Sequence, residues 1–167
     1  HSGIKINKTW LTQTDGRLAT QYSAEEEQKN CVFFDLALDY SEATRFAVTK
    51  SMQCSETALN DAIGFLQALN KEISIIEDVP GMIVMRTVCM LANEGADAVN
   101  QQVCSMEAVD IAMQGGVNYP RGPLQWADDI GVEIVVGVLD NISQVYGEDR
   151  YRVSPLLVKH AYAQQPL

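Results

Sequence analysis

Asp78-Val-Pro-Gly-Met-Ile-Val-Met-Arg86, continuing Thr87-Val-Cys-Met-Leu-Ala-Asn-Glu-Gly-Ala-Asp-Ala-Val99, is the stretch that decides the fold. Asp78 stands where an N-cap carboxylate accepts amide hydrogen bonds, and Pro80 falls in a first turn, where its missing N–H costs nothing. Apolar side chains then recur at Met82, Met85, Val88, Cys89, Ala92, Ala96 and Val99, which is helical spacing. Ile83, Val84, Met90 and Leu91 add apolar residues off that stripe. The pattern predicts a helix of about 23 residues whose N-terminal half is buried by its neighbours all round. Arg86, Asn93, Glu94 and Asp97 interrupt it, so it is not a membrane span.

Outward from this stretch, composition sets the bounds. A chain of 167 residues, 47% of them apolar and 7% aromatic, holds one domain of ordinary size or two small ones. The formal net charge is −10, with a run at Glu25, Glu26 and Glu27. Such a charge balance repels nucleic acid and anionic membranes and argues against both as partners. No signal-peptide or membrane-spanning run is read. His1-Ser2 reads as a cloning remnant, and the missing initiator Met suggests a piece of something longer. The four cysteines, Cys31, Cys54, Cys89 and Cys104, form no Cys-x-x-Cys pair, and only one histidine is internal. No zinc site is expected. Reduced thiols packed as small hydrophobes fit the cytoplasm.

Before the long helix the signals are mixed. Thr9–Thr14 reads as a short strand ended by the turn Asp15-Gly16, and Arg17–Gln28 is polar and helix-competent. Cys31–Leu36, Arg45–Thr49 and Glu72–Ile76 are apolar runs of strand length. Ser55–Asn70 is a helix, capped by Ser55, with Leu59, Ile63, Leu66 and Leu69 inward. The order β-α-β-β-α-β predicts a small sheet carrying helices. After Pro80 strand signals vanish. Ser105 caps a second helix that Gly115-Gly116 should stop. Tyr119–Pro123 is a rigid connector, Pro123 opens a short third helix and Gly131 breaks it. Val132–Tyr146 is a fourth helix, with Ile134, Val135, Val138, Leu139, Ile142 and Val145 inward, and Ser154-Pro155 starts the last. The predicted organisation is an α/β domain over 1–78, with 1–8 partly remnant or flexible, and an all-α domain over 79–167. No internal repeats are present.

From Gly81 to Leu157 the sequence resembles the C-terminal helical domain of the 3-hydroxyacyl-CoA dehydrogenases. The residues that carry the likeness are Pro80-Gly81 and Arg86; Asn93-Glu94; Ser105, Glu107, Asp110, Ala112 and Met113; Gly116, Tyr119-Pro120, Gly122-Pro123-Leu124, Asp128 and Gly131; then Tyr151-Arg152 and Ser154–Leu157. Trp10–Asp78 resembles the reduced Rossmann-like segment of long bacterial members with a second helical domain, through Trp10-Leu-Thr-Gln-Thr-Asp-Gly16 and Phe34-Asp-Leu-Ala-Leu-Asp-Tyr40. Those members are similar to the 3-hydroxybutyryl- and 3-hydroxyadipyl-CoA dehydrogenases of aromatic-acid degradation. The resemblance implies a reduced Rossmann-like α/β domain followed by a helical dehydrogenase C-terminal domain.

At the chemistry the sequence departs from that family. Dinucleotide binding needs a Gly-rich turn so that backbone can approach pyrophosphate at a helix N-terminus. Asp15-Gly16-Arg17 offers one glycine and a carboxylate that repels phosphate. The resemblance implies a His–Glu pair, a His general base and its orienting carboxylate, and an Asn just before the Arg of the long helix. Met85 occupies that Asn position, and the only internal histidine, His160, falls outside any matching motif. No catalytic, cofactor-binding or metal-ligating residue is therefore assigned.

The remaining candidates have structural readings first. Tyr119, Pro120, Gly122 and Pro123 are turn geometry before ligand contacts. Arg86 beside Glu94 or Asp97 is an internal ion pair before a substrate clamp. Arg121, Arg150 and Arg152 are a solvated basic edge before a phosphate patch. Met82, Met85, Met90 and Met113 are core before an acyl pocket. The expected function is the structural and assembly part of an NAD-dependent 3-hydroxyacyl-CoA dehydrogenase of fatty acid metabolism, inactive by itself. NAD and the reaction belong to the parent, and the partner is a sister helical domain or a second copy. The alternative is an acyl-CoA-binding module assisting the catalytic half.

Overall fold

A computed structural model of the chain describes residues 3–167, so the remnant expected at His1-Ser2 lies outside the described residues. The chain divides into two compact units, His1–Met85 and Arg86–Leu167.

The first unit is a five-stranded mixed sheet with strand order β1-β2-β3-β4-β5. The strands are β1 Gly3–Ile6, β2 Thr9–Gln13, β3 Cys31–Phe34, β4 Arg45–Lys50 and β5 Glu72–Ile75. Strands β2 and β3 run parallel, as do β4 and β5, and the other neighbours are antiparallel. The first of these strands corrects the expectation of flexibility at residues 3–6: Ile4 pairs with Leu11 and Ile6 with Thr9. With only Ile4 and Ile6 apolar, β1 shows too short an alternation to be read as a strand in isolation.

Alternation sorts the sheet into two faces. Leu11, Val32 and Val48 pack on one face against Ala58, Leu59, Ala62 and Leu66 of α2, Glu56–Ala68. Cys31 and Phe33 point the other way, onto Ala19 and Tyr22 of α1, Ala19–Glu25. The Thr9 hydroxyl donates to the Ala58 carbonyl at 3.1 Å and ties β2 to α2. Each fully buried Leu, Val or Phe of these layers contributes about 1.5–3 kcal/mol. Ser55 caps α2 as expected, accepting from the Ala58 N–H at 3.2 Å, whereas Leu69 is exposed.

The helix read from the opening stretch is α3, Val84–Asn100, 17 residues long. Its start corrects the reading of Asp78. That carboxylate accepts from the Ala19 and Thr20 N–H groups at 2.7 and 2.9 Å, so it caps α1. The residues between it and α3 form a turn in which Gly81 (φ 70°) and Met82 (φ 51°) are both left-handed. The α3 N-terminus takes its cap from Asp35, at the end of β3.

The second unit continues with α4 Met106–Val117, α5 Pro123–Ile130, α6 Val132–Tyr146 and α7 Pro155–Ala163, with a 3-10 turn at Asp149–Tyr151. Ser105 and Ser154 cap α4 and α7 as expected. Gly115-Gly116 does not stop α4; it ends at Val117, where Asn118 adopts a left-handed φ of 57°. The stop at Gly131 is real, with φ 104°. Along α6, Val135, Val138, Leu139 and Ile142 are buried, but Ile134 and Val145 are exposed. The sequence stripe is wider than the buried face, and α7 packs against only part of it. Among the described residues no helix is long and apolar enough to cross a membrane.

Candidate functional site

In an open sheet with parallel strands, a nucleotide sits beyond the carboxyl ends of those strands, against a helix N-terminus. Here that place follows β2 and β3, and it is filled by the protein's own charges. Arg17 is nearly buried. Its Nε and Nη2 donate to Asp15 at 2.9 and 2.6 Å, and its Nη1 donates to Glu25 at 2.7 Å and Glu26 at 3.2 Å. The guanidinium also lies over the Tyr22 ring, 4.6 Å from its centroid. Burial alone pulls the Arg17 pKa down, but the hydrogen bonds to Asp15 and Glu25 outweigh it and hold the group above its ordinary value. The adjoining α1 N–H groups belong to Asp78.

Asp35, only 2% exposed, is the second carboxylate at this edge, and sequence reading missed it. One oxygen accepts from the Ile83 and Val84 N–H groups at 2.9 and 2.8 Å. The other accepts from Leu36 and Met85 at 2.8 and 3.0 Å. It answers the amides that open α3 and its dipole together. The available signal was a lone carboxylate closing an apolar strand, Cys31-Val-Phe-Phe-Asp35.

Met85 itself is 1% exposed, and its place in the core agrees with an apolar residue there. Substituting Met85→Asn should destabilise the chain by about 1–3 kcal/mol, the cost of burying an amide without partners. Thermal melting followed by circular dichroism checks this, and a melting temperature at or above that of the unmodified chain would contradict it.

Arg86 donates Nη2 to the Tyr146 hydroxyl at 3.0 Å and stacks 5.2 Å from that ring's centroid. Tyr146 in turn stacks on Tyr151 at 5.1 Å. The aromatic partner was not anticipated, because 60 residues separate the two. The other arginines pair with carboxylates: Arg121 with Asp129, Arg150 with Glu148 at 2.8 Å and Arg152 with Asp97 at 3.5 Å. All three arginine side chains are more than half exposed, and each faces a carboxylate. The half-buried His160 lies with Nδ1 2.6 Å from the Pro166 carbonyl.

Two polar residues in the matching motifs turn out to be ties between helices. Asn93 donates to the Arg152 carbonyl at 2.9 Å and accepts from the Ser154 N–H at 2.7 Å. Asp110 accepts from the Leu124 and Gln125 N–H groups at 2.9 and 3.0 Å, capping α5 from α4. Gly122 makes that approach possible, since a Cβ there would lie 1.9 Å from the Asp110 carboxyl carbon. Tyr119 packs on Trp126, with ring centroids 5.5 Å apart. Within the Tyr119–Pro123 segment, Gly122 serves the cap of α5 and Tyr119 packs on that helix.

The cysteines are thiols rather than disulfides. Burial pushes the Cys31 and Cys89 thiols up to about 12, so both are inert small hydrophobes near neutral pH. Of the methionines, Met82 and Met85 are buried, and Met90 and Met113 half-buried.

A small α/β unit whose sheet edge is closed by its own carboxylates is followed by an all-helical unit. Residues 11–80 match the 3-hydroxybutyryl-CoA dehydrogenase reduced Rossmann-fold domain, and residues 81–166 match the 3-hydroxyacyl-CoA dehydrogenase C-terminal domain. The second match alone covers over half of the chain, which therefore belongs to the 3-hydroxyacyl-CoA dehydrogenase family. It is 42% identical over 106 residues to the 3-hydroxyadipyl-CoA dehydrogenase of Escherichia coli, covering 64% of this chain and 22% of that protein. It is 34% identical over 99 residues to the 3-hydroxybutyryl-CoA dehydrogenase of Bradyrhizobium diazoefficiens, covering 59% of this chain and 34% of that one. The crystal structure of an Escherichia coli 3-hydroxybutyryl-CoA dehydrogenase superposes with a TM-score of 0.89 at 33% identity, over 95% of this chain and 33% of its own. The chain thus spans between about a fifth and a third of the length of these relatives.

Proposed function

We propose that this chain is the structural and assembly part of a longer NAD-dependent 3-hydroxyacyl-CoA dehydrogenase, and is not catalytic by itself. The parent oxidises a 3-hydroxyacyl-CoA to the 3-oxoacyl-CoA, with NAD and the proton-accepting base held by residues outside this chain. The observation that carries the reading is the closed edge of the sheet. A dinucleotide's pyrophosphate needs unoccupied backbone donors at a helix N-terminus there. Arg17 is instead held by Asp15, Glu25 and Glu26, and the α1 amides by Asp78. The residues present do not fit NAD, and no step is assigned to it in this chain.

Met85 at the family's Asn position adds to this reading, because a thioether cannot donate a hydrogen bond to a catalytic group. The proposed domains are 1–78 and 79–167. The proposed partner is a sister helical domain of the parent or a second copy of this chain, with an interface above about 1,000 Å² in total. A net charge of −10 opposes nucleic acid and anionic membrane. Four cysteines kept as thiols support a cytoplasmic setting.

Mixing the purified chain with NAD and 3-hydroxybutyryl-CoA should give no NADH absorbance above the blank. Calorimetric titration with NAD should give no heat of binding. Turnover above background, in protein free of host dehydrogenase, would overturn the proposal. Saturable heat with CoA thioesters would replace it by the acyl-CoA-binding reading.

A further inference from the structure

The two edges of the sheet differ. An edge strand presents a row of unpaired N–H and C=O groups, and natural sheets blunt it with a charge, a proline or a bulge. β1 carries Lys5, exposed in mid-strand. β5, Glu72-Ile-Ser-Ile75, has no charge beyond its first residue, and Ile75 is 60% exposed. Its pairing with β4 fixes which groups face outward. The Glu72 N–H donates to the Thr44 carbonyl at 2.8 Å, and the Ile76 N–H donates to the Val48 carbonyl at 2.9 Å. In a parallel ladder alternate residues point to the same neighbour. Ile73 and Ile75 therefore turn their N–H and C=O groups away from β4, to the free edge.

That edge is self-complementary. A two-fold axis through Ser74 sets a second β5 antiparallel to the first, with Ile73 opposite Ile75 of the other copy and Ser74 opposite itself. Both Ile73–Ile75 pairs are then of the hydrogen-bonded kind, in which each residue gives and takes one N–H···O bond. Residues directly opposite share a face. Ile73 packs on the α2 side of the sheet, so there it covers the exposed Ile75 of the second copy. Two residues further out, Lys71 comes opposite Glu77. The Lys71 Nζ is held by the Tyr40 and Ala43 carbonyls at 3.0 and 2.7 Å, and those neutral oxygens leave its charge for a carboxylate. Glu77 is exposed. Moving the axis to Ile73 or to Ile75 sets Lys71 on Ile75 or Glu77 on Ile73, and loses both matches. A parallel pair would repeat Lys71 beside Lys71, which repels. Charge and apolar pattern therefore select a second copy, one direction and one register.

We infer that the free edge of β5 is a docking surface for β5 of a second copy of this chain, joined antiparallel about Ser74 into one continuous sheet. The contact lies in the first unit and is independent of any pairing between helical units.

Cysteine cross-linking of the full chain over a concentration series reads the register directly. In a non-hydrogen-bonded antiparallel pair the Cα atoms lie about 4.5 Å apart, within disulfide range. Cys104 is the half-exposed native thiol, so each variant is made in a Cys104→Ser background. Ser74→Cys should give a disulfide dimer under oxidised glutathione. Ile75→Cys, whose two copies stand two residues out of step, should give about tenfold less. Ile75→Pro removes an N–H that β4 does not use, and Ile75→Lys sets a cation against Ile73. Each, added to Ser74→Cys, should lower the cross-linked fraction about tenfold and keep the circular dichroism of the unmodified chain. No disulfide dimer of Ser74→Cys at any concentration would overturn the contact, as would one that Ile75→Lys leaves unchanged. Equal cross-linking at positions 74 and 75 would overturn the register, and the proposal with it. Any of these failures leaves the non-catalytic reading standing, because NADH absorbance and calorimetry decide that separately.

Discussion

Replacing Asp35 by Ala should remove more stability from the first unit than any other single polar substitution. The carboxylate accepts four backbone N–H groups, from Leu36, Ile83, Val84 and Met85, all between 2.8 and 3.0 Å. Alanine leaves all four donors without that acceptor. At about 1 kcal/mol or more for each buried donor left unmade, the loss is about 4 kcal/mol. For a unit of this size, that lowers the melting midpoint by about 15 °C or more. Asn is nearly as damaging. Its carbonyl oxygen serves one pair of N–H groups, while its amide turns donors toward the other pair. The measurement can be confined to the first unit. The chain has two tryptophans, with Trp10 in the first unit and Trp126 in the second. Fluorescence-monitored urea unfolding in a Trp126→Phe background then follows Trp10 alone. An unchanged midpoint for Asp35→Ala would show that α3 starts without this cap.

Asn93→Ala should have the corresponding effect in the second unit. The side chain is buried in the middle of α3 and uses both ends of its amide. It holds the Arg152 carbonyl and the Ser154 N–H, at the connection that launches α7. Truncation leaves one buried donor and one acceptor unmade, for an expected loss of about 2–4 kcal/mol. Asn93→Asp separates the hydrogen bonds from mere volume. The carboxylate still accepts from Ser154, but it cannot donate to Arg152 and turns a negative oxygen toward that carbonyl. Asp should therefore destabilise despite its matched shape. Urea unfolding followed by Trp126 fluorescence in a Trp10→Phe background reads both variants. Equal stability of Asn93→Asp and the parent would remove the donated hydrogen bond from the account.

Much of the chain was legible because its determinants are local. Ser55, Ser105 and Ser154 lie immediately before the helices they cap. Periodicity placed α2, α5 and α6, the Ser154-Pro155 start placed α7, a strand-like run ended by Asp15-Gly16 placed β2, and apolar runs placed β3 to β5. Which face each residue of β3 takes, Val32 on one and Phe33 on the other, was decided only in the structure, because a continuous apolar run carries no alternation. Errors came where a pattern was wider than the surface available to cover it. Ile134, Val145 and Leu69 are apolar by period but exposed, and the Met90–Leu91 side of α3 is only half-buried.

The candidate site was legible mainly in what it lacks. A single glycine after β2 and Met85 before Arg86 follow from the sequence alone, and the proposal of a non-catalytic part rests on them first. What closes the sheet edge could not be read there. The caps of α1, α3 and α5 are Asp78, Asp35 and Asp110, set 59, between 48 and 50, and 14 residues from the first amides they hold. A serine at an N-cap is fixed by backbone geometry to reach the amide two or three residues on, so its role is written in the local order. A carboxylate from another element needs only to arrive at the same place. Which aspartate meets which helix is decided when sheet and helices pack, and any acidic residue at the right point in space would serve. The sequence alone determined where most of the helices lie and that a single glycine follows β2. Only the tertiary structure decided which distant carboxylate starts each of those three helices, because that choice depends on proximity in space rather than along the chain.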